Sequence, residues 1–349
     1  MKVNFSLFIL SIGLSNLAQA TTIDVDQFIA DSAGKYTPLI VAGDPFSVSN
    51  TQSYELIEPN DPYATFAGIG SIYFEDAGYG YMGTGTPISK RHILTAAHVL
   101  DITGDGQSDV GSSAVTFNTN NDGDLTYQLG ISSIDIHPDF TGFNNPFISD
   151  DLAILTLAED LPDDVPIYEM FRGDLQGQNM IVMAGYGDSG DGYGVVHTEG
   201  TRTVKRDGYN HIDVIYSDNP EDTEDTIFAF DFDDPEGFYD IFGTGEQFTE
   251  PYEATIGHGD SGGPAFLLDD NFDILGLIGV NTFGLAYYNN APYFGSIGGG
   301  MFLPSYFDWI DDVVAMAPIS QVVTEPASFI LLILGLAGLA VVRRKQRSY

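Results

Sequence analysis

Six consecutive residues, Gly259-Asp260-Ser261-Gly262-Gly263-Pro264, set a serine in a turn rich in glycine. Glycine lets the backbone turn sharply there, so that the N–H groups of Gly259 and Ser261 converge beside the hydroxyl. Two such donors would bind the negative oxygen that forms when the hydroxyl attacks a carbonyl. A serine hydroxyl is a weak nucleophile until a base takes its proton. Among six histidines, His98 ends the run Leu94-Thr95-Ala96-Ala97-His98, whose small residues allow a strand end to pack closely against a second β-structure. The base in turn needs a carboxylate to fix its tautomer. Asp151 heads the apolar run Leu152-Ala153-Ile154-Leu155, where a carboxylate can be partly buried. Asp150 is the adjacent competitor, and Asp151 is favoured because the apolar strand begins directly after it. A hydroxyl, an imidazole and a carboxylate in this relation would perform acyl transfer.

The elements that must bring these groups together are β-strands. Short apolar runs separated by Gly, Asn, Asp and Pro predict strands at Gly70–Phe74, Ile93–Ala97, Ala114–Phe117, Leu152–Leu157, Met180–Ala184 and Ile274–Val280. One helix is predicted over Ser305–Ala315, with Ser305 as its cap. The chain has 349 residues and a 43% hydrophobic content, enough for a large core or two smaller ones. It has no cysteine, so no disulfide staples it.

Together the three segments resemble the chymotrypsin–trypsin family, in the order His98, Asp151, Ser261. Gly83–His98, Ile136-His137-Pro138, Ala184-Gly185-Tyr186-Gly187, Gly279–Gly284 and Phe307–Ile310 add to the likeness, which runs from about Phe66 to Val314. The resemblance implies an all-β fold of two antiparallel six-stranded barrels with a short C-terminal helix, the catalytic groups lying between the barrels. It implies a serine endopeptidase acting on protein or peptide substrates, with no cofactor required for catalysis. It also implies that Thr255 lies at the floor of the specificity pocket, with Thr282, Phe283 and Gly284 along its wall. Thr255 is not an acid, so cleavage after Lys or Arg is not supported, and a small or apolar residue before the cut is expected. His258 would rim the pocket or sit in a solvated loop. Family zymogens pair a new amino terminus with the acid before the nucleophile, here Asp260. Ile40-Val41-Ala42-Gly43 faintly resembles such a start, although Leu39 precedes it; the alternative is another cationic or hydrogen-bonding partner for Asp260.

The formal net charge is −38, and all 50 acidic residues lie within 21–325. Nucleic acid is disfavoured as a partner, because phosphate would be repelled. The acidity allows another role: Asp101, Thr103, Asp105, Gln107 and Asp109 place oxygen atoms at alternating positions around Gly104 and Gly106, as calcium loops do. The competing reading is a hydrophilic turn, and residues 118–124 form a weaker copy.

The two ends are addresses. Residues 1–20 read as a signal peptide with Lys2, an apolar stretch and Ala18-Gln19-Ala20 for signal peptidase. Residues 327–342 are uncharged, and Arg343, Arg344, Lys345 and Arg347 follow. Such a run spans or nearly spans a bilayer with its basic end in the cytoplasm. Preceded by Thr324-Glu325-Pro326, this tail resembles the PEP-CTERM sorting signal of Gram-negative bacteria, with Thr324 in place of the usual first proline. It implies export through the inner membrane, transient C-terminal anchoring by a transmembrane helix, cleavage by an exosortase-like enzyme and a cell-surface or extracellular destination; a plain anchor is the alternative. The organisation expected is a signal peptide (1–20), an N-terminal segment with room for a propeptide (21–61), a protease-like domain (62–316, two barrels divided near 165), a linker and sorting motif (317–326), and an apolar helix with a basic tail (327–349). The alternative function is a catalytically silent, protease-shaped surface or matrix binding protein.

Overall fold

The computed structural model describes residues 40–42, 64–119, 126–142, 149–190, 192, 196–198, 200–217, 224–234, 237–245, 248, 253–285 and 294–316. The signal peptide, the sorting motif, the apolar tail and part of the weaker acidic loop lie outside the described residues. Among the described residues, no helix is long and apolar enough to cross a membrane.

In chain order the strands are β1 (Ile40–Ala42), β2 (Gly70–Asp76), β3 (Tyr79–Pro87), β4 (His92–Thr95), β5 (Thr116–Thr119), β6 (Tyr127–Ile136), β7 (Ala153–Leu157), β8 (Met180–Gly185) and β9 (Ser189–Gly190). They continue with β10 (Val196–Thr198), β11 (Arg206–His211), β12 (Val214–Tyr216), β13 (Ile227–Asp231), β14 (Ala254–Ile256), β15 (Pro264–Leu268), β16 (Ile274–Leu285) and β17 (Ile297–Phe302), followed by the helix α1 (Phe307–Met316). Strands β2-β3-β4-β7-β6-β5 close into an antiparallel barrel. The second half is a sheet in the order β11-β8-β15-β16-β17-β13-β12. Its two edges, β11 and β12, are consecutive in the chain and joined only by Ile212 and Asp213. The Ile212 N–H reaches the Asn179 carbonyl on one side, and the Asp213 N–H reaches the Ala229 carbonyl on the other. One bent strand thus borders both edges, and the sheet curls round on six strands' worth of chain. Of the two six-stranded barrels expected, the first is a closed six-stranded barrel and the second half is a seven-stranded sheet whose edge strands are joined by two residues.

Alternation explains why the strands beside the site are apolar throughout. A strand buried on both faces reads as a continuous hydrophobic run, whereas one with a wet face alternates. Ile93 of β4 and Ala153, Leu155 and Leu157 of β7 fill the first barrel. Their outward neighbours Leu94 and Ile154 instead meet Val182 of β8 and Phe266 of β15 from the second half. On β15 the opposite residues, Ala265 and Leu267, face the second barrel's own core. Each large apolar side chain so buried contributes about 1.5–3 kcal/mol relative to exposure, an upper figure because unfolded chains also bury surface. The seam between the halves is therefore fixed by β4, β7 and β15, the strands flanking His98, Asp151 and Ser261.

The helix forms as predicted, but not with the predicted cap. Ser305 lies in a 3-10 turn, Leu303–Tyr306, and its hydroxyl donates to the Asp225 carbonyl instead. Ile310 and Val313 bury the helix's inner face. Trp309 and Tyr306 meet the ring of His137 edge-on, at 4.8 and 5.3 Å between centroids.

Candidate active site

A 3-10 turn, Ala97–Val99, carries His98, three residues past the end of β4. Two residues before β7 stands Asp151, with no exposed surface. One Asp151 oxygen, Oδ1, accepts the backbone N–H of His98 at 2.8 Å, and the other, Oδ2, lies 2.6 Å from His98 Nδ1. This two-point hold sets both the place and the rotation of the imidazole. It also favours the tautomer with the proton on Nδ1, leaving a lone pair on Nε2.

The choice between the two adjacent aspartates is made by the backbone. Asp150 adopts a positive φ of 56°, a region aspartate enters more readily than most residues. The turn sends the two side chains different ways: Asp150 Oδ1 faces His137 Nδ1 at 3.8 Å, while Asp151 meets His98. Burial lowers the pKa of His137, with Asp139 opposing, so His137 serves as a packed aromatic shelf between this loop and α1.

Ser261 lies three residues before β15 and is 6% exposed. Its turn is held from outside by β3. The Thr84 N–H donates to the Ser261 carbonyl at 2.8 Å, and the Thr84 hydroxyl donates to the Gly259 carbonyl at 2.9 Å. Thr95 Oγ1 in turn donates to the Thr84 carbonyl at 2.8 Å. The N–H groups of Asp260, Gly262 and Gly263 are all spent on backbone carbonyls. Among the described residues those of Gly259 and Ser261 donate to no backbone carbonyl, so this pair alone in the turn remains available to a developing oxyanion. At Gly262, with φ +84°, a Cβ would lie 2.1 Å from Thr95 Oγ1 and 2.3 Å from the Thr84 carbonyl oxygen. The turn therefore cannot seat against β3 with any side chain at that position.

His98, Gly259 and Ser261 open onto one cleft of about 950 Å³, also lined by Met82, Asp188, Arg202 and exposed His258. Three of the residues expected in the specificity pocket, Thr255, Thr282 and Phe283, are buried. Phe283 is packed in the core between the halves, with its ring against the backbone of Gly299. A bulge between Asn281 and Phe283 makes Thr282 the extra residue of β16. Thr282, Phe283, Gly284 and Thr255 are not among the described residues that line the cleft holding His98 and Ser261.

The sequence profile of the Trypsin family matches residues 61–310. The chain belongs to the trypsin family. No curated protein matches it. Membership makes it a serine-protease relative whose substrates are proteins or peptides.

For a trypsin-family member, the surroundings of Asp260 are informative. Its carboxylate is cradled by Gly185 and Gly187, where added Cβ atoms would fall 1.7 and 2.0 Å from its oxygens. The Gly187 N–H donates to Oδ1 at 2.7 Å, while Oδ2 is buried with no hydrogen-bond partner among the described residues. Burial pushes the Asp260 pKa well above the ordinary value, opposed by the Gly187 N–H and by the charge of Arg206. Arg206 is itself 8% exposed, and its Nη2 has no hydrogen-bond partner. The two residues line one cavity of about 20 Å³, roughly the room that one bridging water needs. Ile40, the candidate new terminus, is here the first residue of β1, paired with Ile256, and Val41 pairs with Thr255. Arg206 is thus the cation whose charge acts on Asp260, a role sequence reading missed because β11 is remote from Ser261 along the chain.

Replacing Arg206 by methionine is expected to lower Tm by about 4–10 °C, from a loss of about 1–3 kcal/mol of compensation for a buried acid. The sign of its pH dependence follows from Asp260. A raised carboxyl pKa means the folded state holds more protons, so stability falls as pH rises above the ordinary aspartate value of about 4. Without Arg206 the pKa rises further, and the Tm deficit should be larger at pH 8 than at pH 5. Calorimetry at the two values checks this; an equal deficit at both would remove Arg206 from the electrostatics of Asp260.

The loop at Asp101 closes on itself. Asp101 Oδ1 accepts the N–H groups of Gly104 and Asp105, and Oδ2 that of Gly106. Asp109 accepts both the N–H and the hydroxyl of Thr103, and the Gln107 N–H goes to Asp105. Asp101, Asp105 and Asp109 do not bring three carboxylate oxygens together. The loop thus has the nested N–H-to-carboxylate bonding of an Asx turn.

Proposed function

We propose that this protein is a secreted or surface-sorted serine endopeptidase that hydrolyses peptide bonds through an acyl-enzyme. The observation that carries the reading is the 2.6 Å contact of His98 Nδ1 with buried Asp151, on an imidazole that shares its cleft with Ser261. Ser261 Oγ attacks the peptide carbonyl carbon while His98 Nε2 takes its proton. Asp151 holds the imidazolium that results, and remains ionised. The N–H groups of Gly259 and Ser261 bind the carbonyl oxygen as it becomes an oxyanion. When the C–N bond breaks, His98 returns the proton to the leaving amine. Water then attacks the ester under the same base, the acid product leaves, and Ser261 regains its proton. Arg206 supports this machinery at one remove by offsetting the charge of Asp260. The leader at 1–20 and the tail at 324–349 support export and sorting to the cell surface, with signal peptidase and an exosortase-like enzyme as processing partners.

A fluorophosphonate probe tests the chemistry directly, because it phosphonylates only a serine activated by a base. Peptide mapping of the labelled, exported protein should place the adduct on Ser261. Absence of labelling in folded, processed protein would favour a silent, protease-shaped binding protein.

A further inference from the structure

The second barrel carries a concentration of carboxylates that the reaction does not use. β13 ends at Asp231, and the chain runs on through Phe232 and Asp233. Phe230 and Phe232 are fully buried, with Phe232 against Phe294 at 4.8 Å, while Asp231 and Asp233 bring their carboxylates together. The chain then returns, bringing Asp240 to the same place. One carboxylate oxygen from each of Asp231, Asp233 and Asp240 lies within 4.8 Å of the other two. Asp213 and Glu253 stand alongside: the Asp213 carboxyl hydrogen-bonds that of Asp231, and the charge of Glu253 acts on Asp233.

Two of the three ligand candidates are more than nine-tenths buried and incompletely bonded. Asp231 is 0% and Asp233 3% exposed. Asp231 Oδ2 accepts the N–H groups of Ile241 and Phe242, but Oδ1 has no hydrogen-bond partner, and neither does Asp233 Oδ1. Glu253 repeats the pattern beside them: Oε2 takes the Phe248 N–H at 2.7 Å, while Oε1 is buried without a partner. No lysine, arginine or histidine among the described residues forms an ion pair with any of these acids. Burying several like charges without a counter-charge is strongly unfavourable, and native folds do so where a cation supplies the missing charge.

We propose that Asp231, Asp233 and Asp240 bind a calcium ion, with Asp231 Oδ1 and Asp233 Oδ1 as buried ligands. The donor set is carboxylate oxygen throughout, which suits a hard divalent cation better than zinc or copper, whose sites favour imidazole and sulfur. Coordination then selects among hard cations. Calcium takes six to eight oxygen ligands in flexible geometry, whereas magnesium demands a near-ideal octahedron and keeps several waters. Calcium also tolerates irregular geometry and carbonyl or water oxygens as further ligands. The site would staple the segment from 231 to 245 just ahead of Glu253 and β14, which lead to the Ser261 turn. It is distinct from the loop at Asp101, on the first barrel, whose carboxylates are satisfied by backbone N–H groups.

The test uses the full exported chain carrying Ser261→Ala, so that self-cleavage does not confuse the readings, stripped of metal with a chelator and titrated with calcium chloride. Calorimetric titration should give one saturable heat, and a hundredfold excess of calcium over Kd should raise Tm by about 5 °C or more. Asp233→Asn removes a buried charge without changing shape; it should weaken calcium binding at least about tenfold while leaving the metal-free protein as stable or more so. Should that variant not fold, the half-buried Asp240→Asn takes its place with the same expectation. Asp105→Asn combined with Asp109→Asn should leave the heat unchanged. The proposal is overturned by a wild-type protein that shows neither heat nor a Tm change, by a response that survives the Asp233 and Asp240 substitutions, or by one that the loop pair abolishes.

Discussion

Ser261→Ala is expected to lower kcat for peptide hydrolysis by about 10⁶-fold, the loss seen when the nucleophile of such a relay is deleted. The structure predicts that nothing else moves. The turn is held through backbone groups, the Ser261 carbonyl by Thr84 N–H and the Gly259 carbonyl by Thr84 Oγ1, and alanine keeps all of them. Tm should therefore stay within about 2 °C of wild type, and a bound peptide should keep its affinity. Residual hydrolysis of about 10³–10⁴-fold over water is expected from the remaining donors and binding alone. Steady-state assay with calorimetry on the same sample separates the cases: substantial activity in a folded Ser261→Ala protein would mean that another group, or another enzyme, is doing the cleavage.

Asp151→Asn should cost about 10⁴-fold in kcat, as it does where the same relay has been dissected. An asparagine can reproduce the shape of both contacts with His98, one to its N–H and one to Nδ1. If its amide nitrogen faces Nδ1 it donates where the carboxylate accepted, and the imidazole is driven to the tautomer that carries its proton on Nε2, useless as a base toward Ser261. It also cannot stabilise the imidazolium. Asp150→Asn, one residue earlier, should change kcat by less than about tenfold, because Asp150 faces His137 and a loss there is a matter of packing. Rates of fluorophosphonate labelling for the two variants give the comparison without a known substrate. Equal effects would mean that the left-handed turn at Asp150 does not assign the roles read from it.

Much of the site was legible before any fold was known. Gly259–Pro264, the small residues before His98 and the apolar run after Asp151 are local patterns, each with a local physical cause. The terminal helix and the boundary strands follow from the same short-range rules, whereas a barrel was implied only by the resemblance to the chymotrypsin–trypsin family. What escaped notice depends on residues far apart in sequence. Thr84 sits on a hairpin strand with nothing unusual about it, yet ties the Ser261 turn to the first barrel. Arg206 is one of a few cations in a very acidic chain, and no spacing rule joins it to Asp260. Thr282 and Phe283 align with a pocket wall, but a one-residue bulge in β16 changes which way side chains point, because strand side chains alternate with period 2.

The acidic loops show the same division most sharply. Asp101–Asp109 has the alternating oxygens of a calcium loop, while Asp231, Asp233 and Asp240 have no motif spacing at all. In three dimensions the first group turns its carboxylates onto its own backbone, and the second converges with buried oxygens left over. The amino-acid order alone determined which groups could act as nucleophile, base and orienting acid, because each is announced by the short segment that must carry it. Tertiary structure decided which partner each buried charge meets, because desolvation and Coulomb energy depend on distance through space, and sequence separation carries no information about that distance.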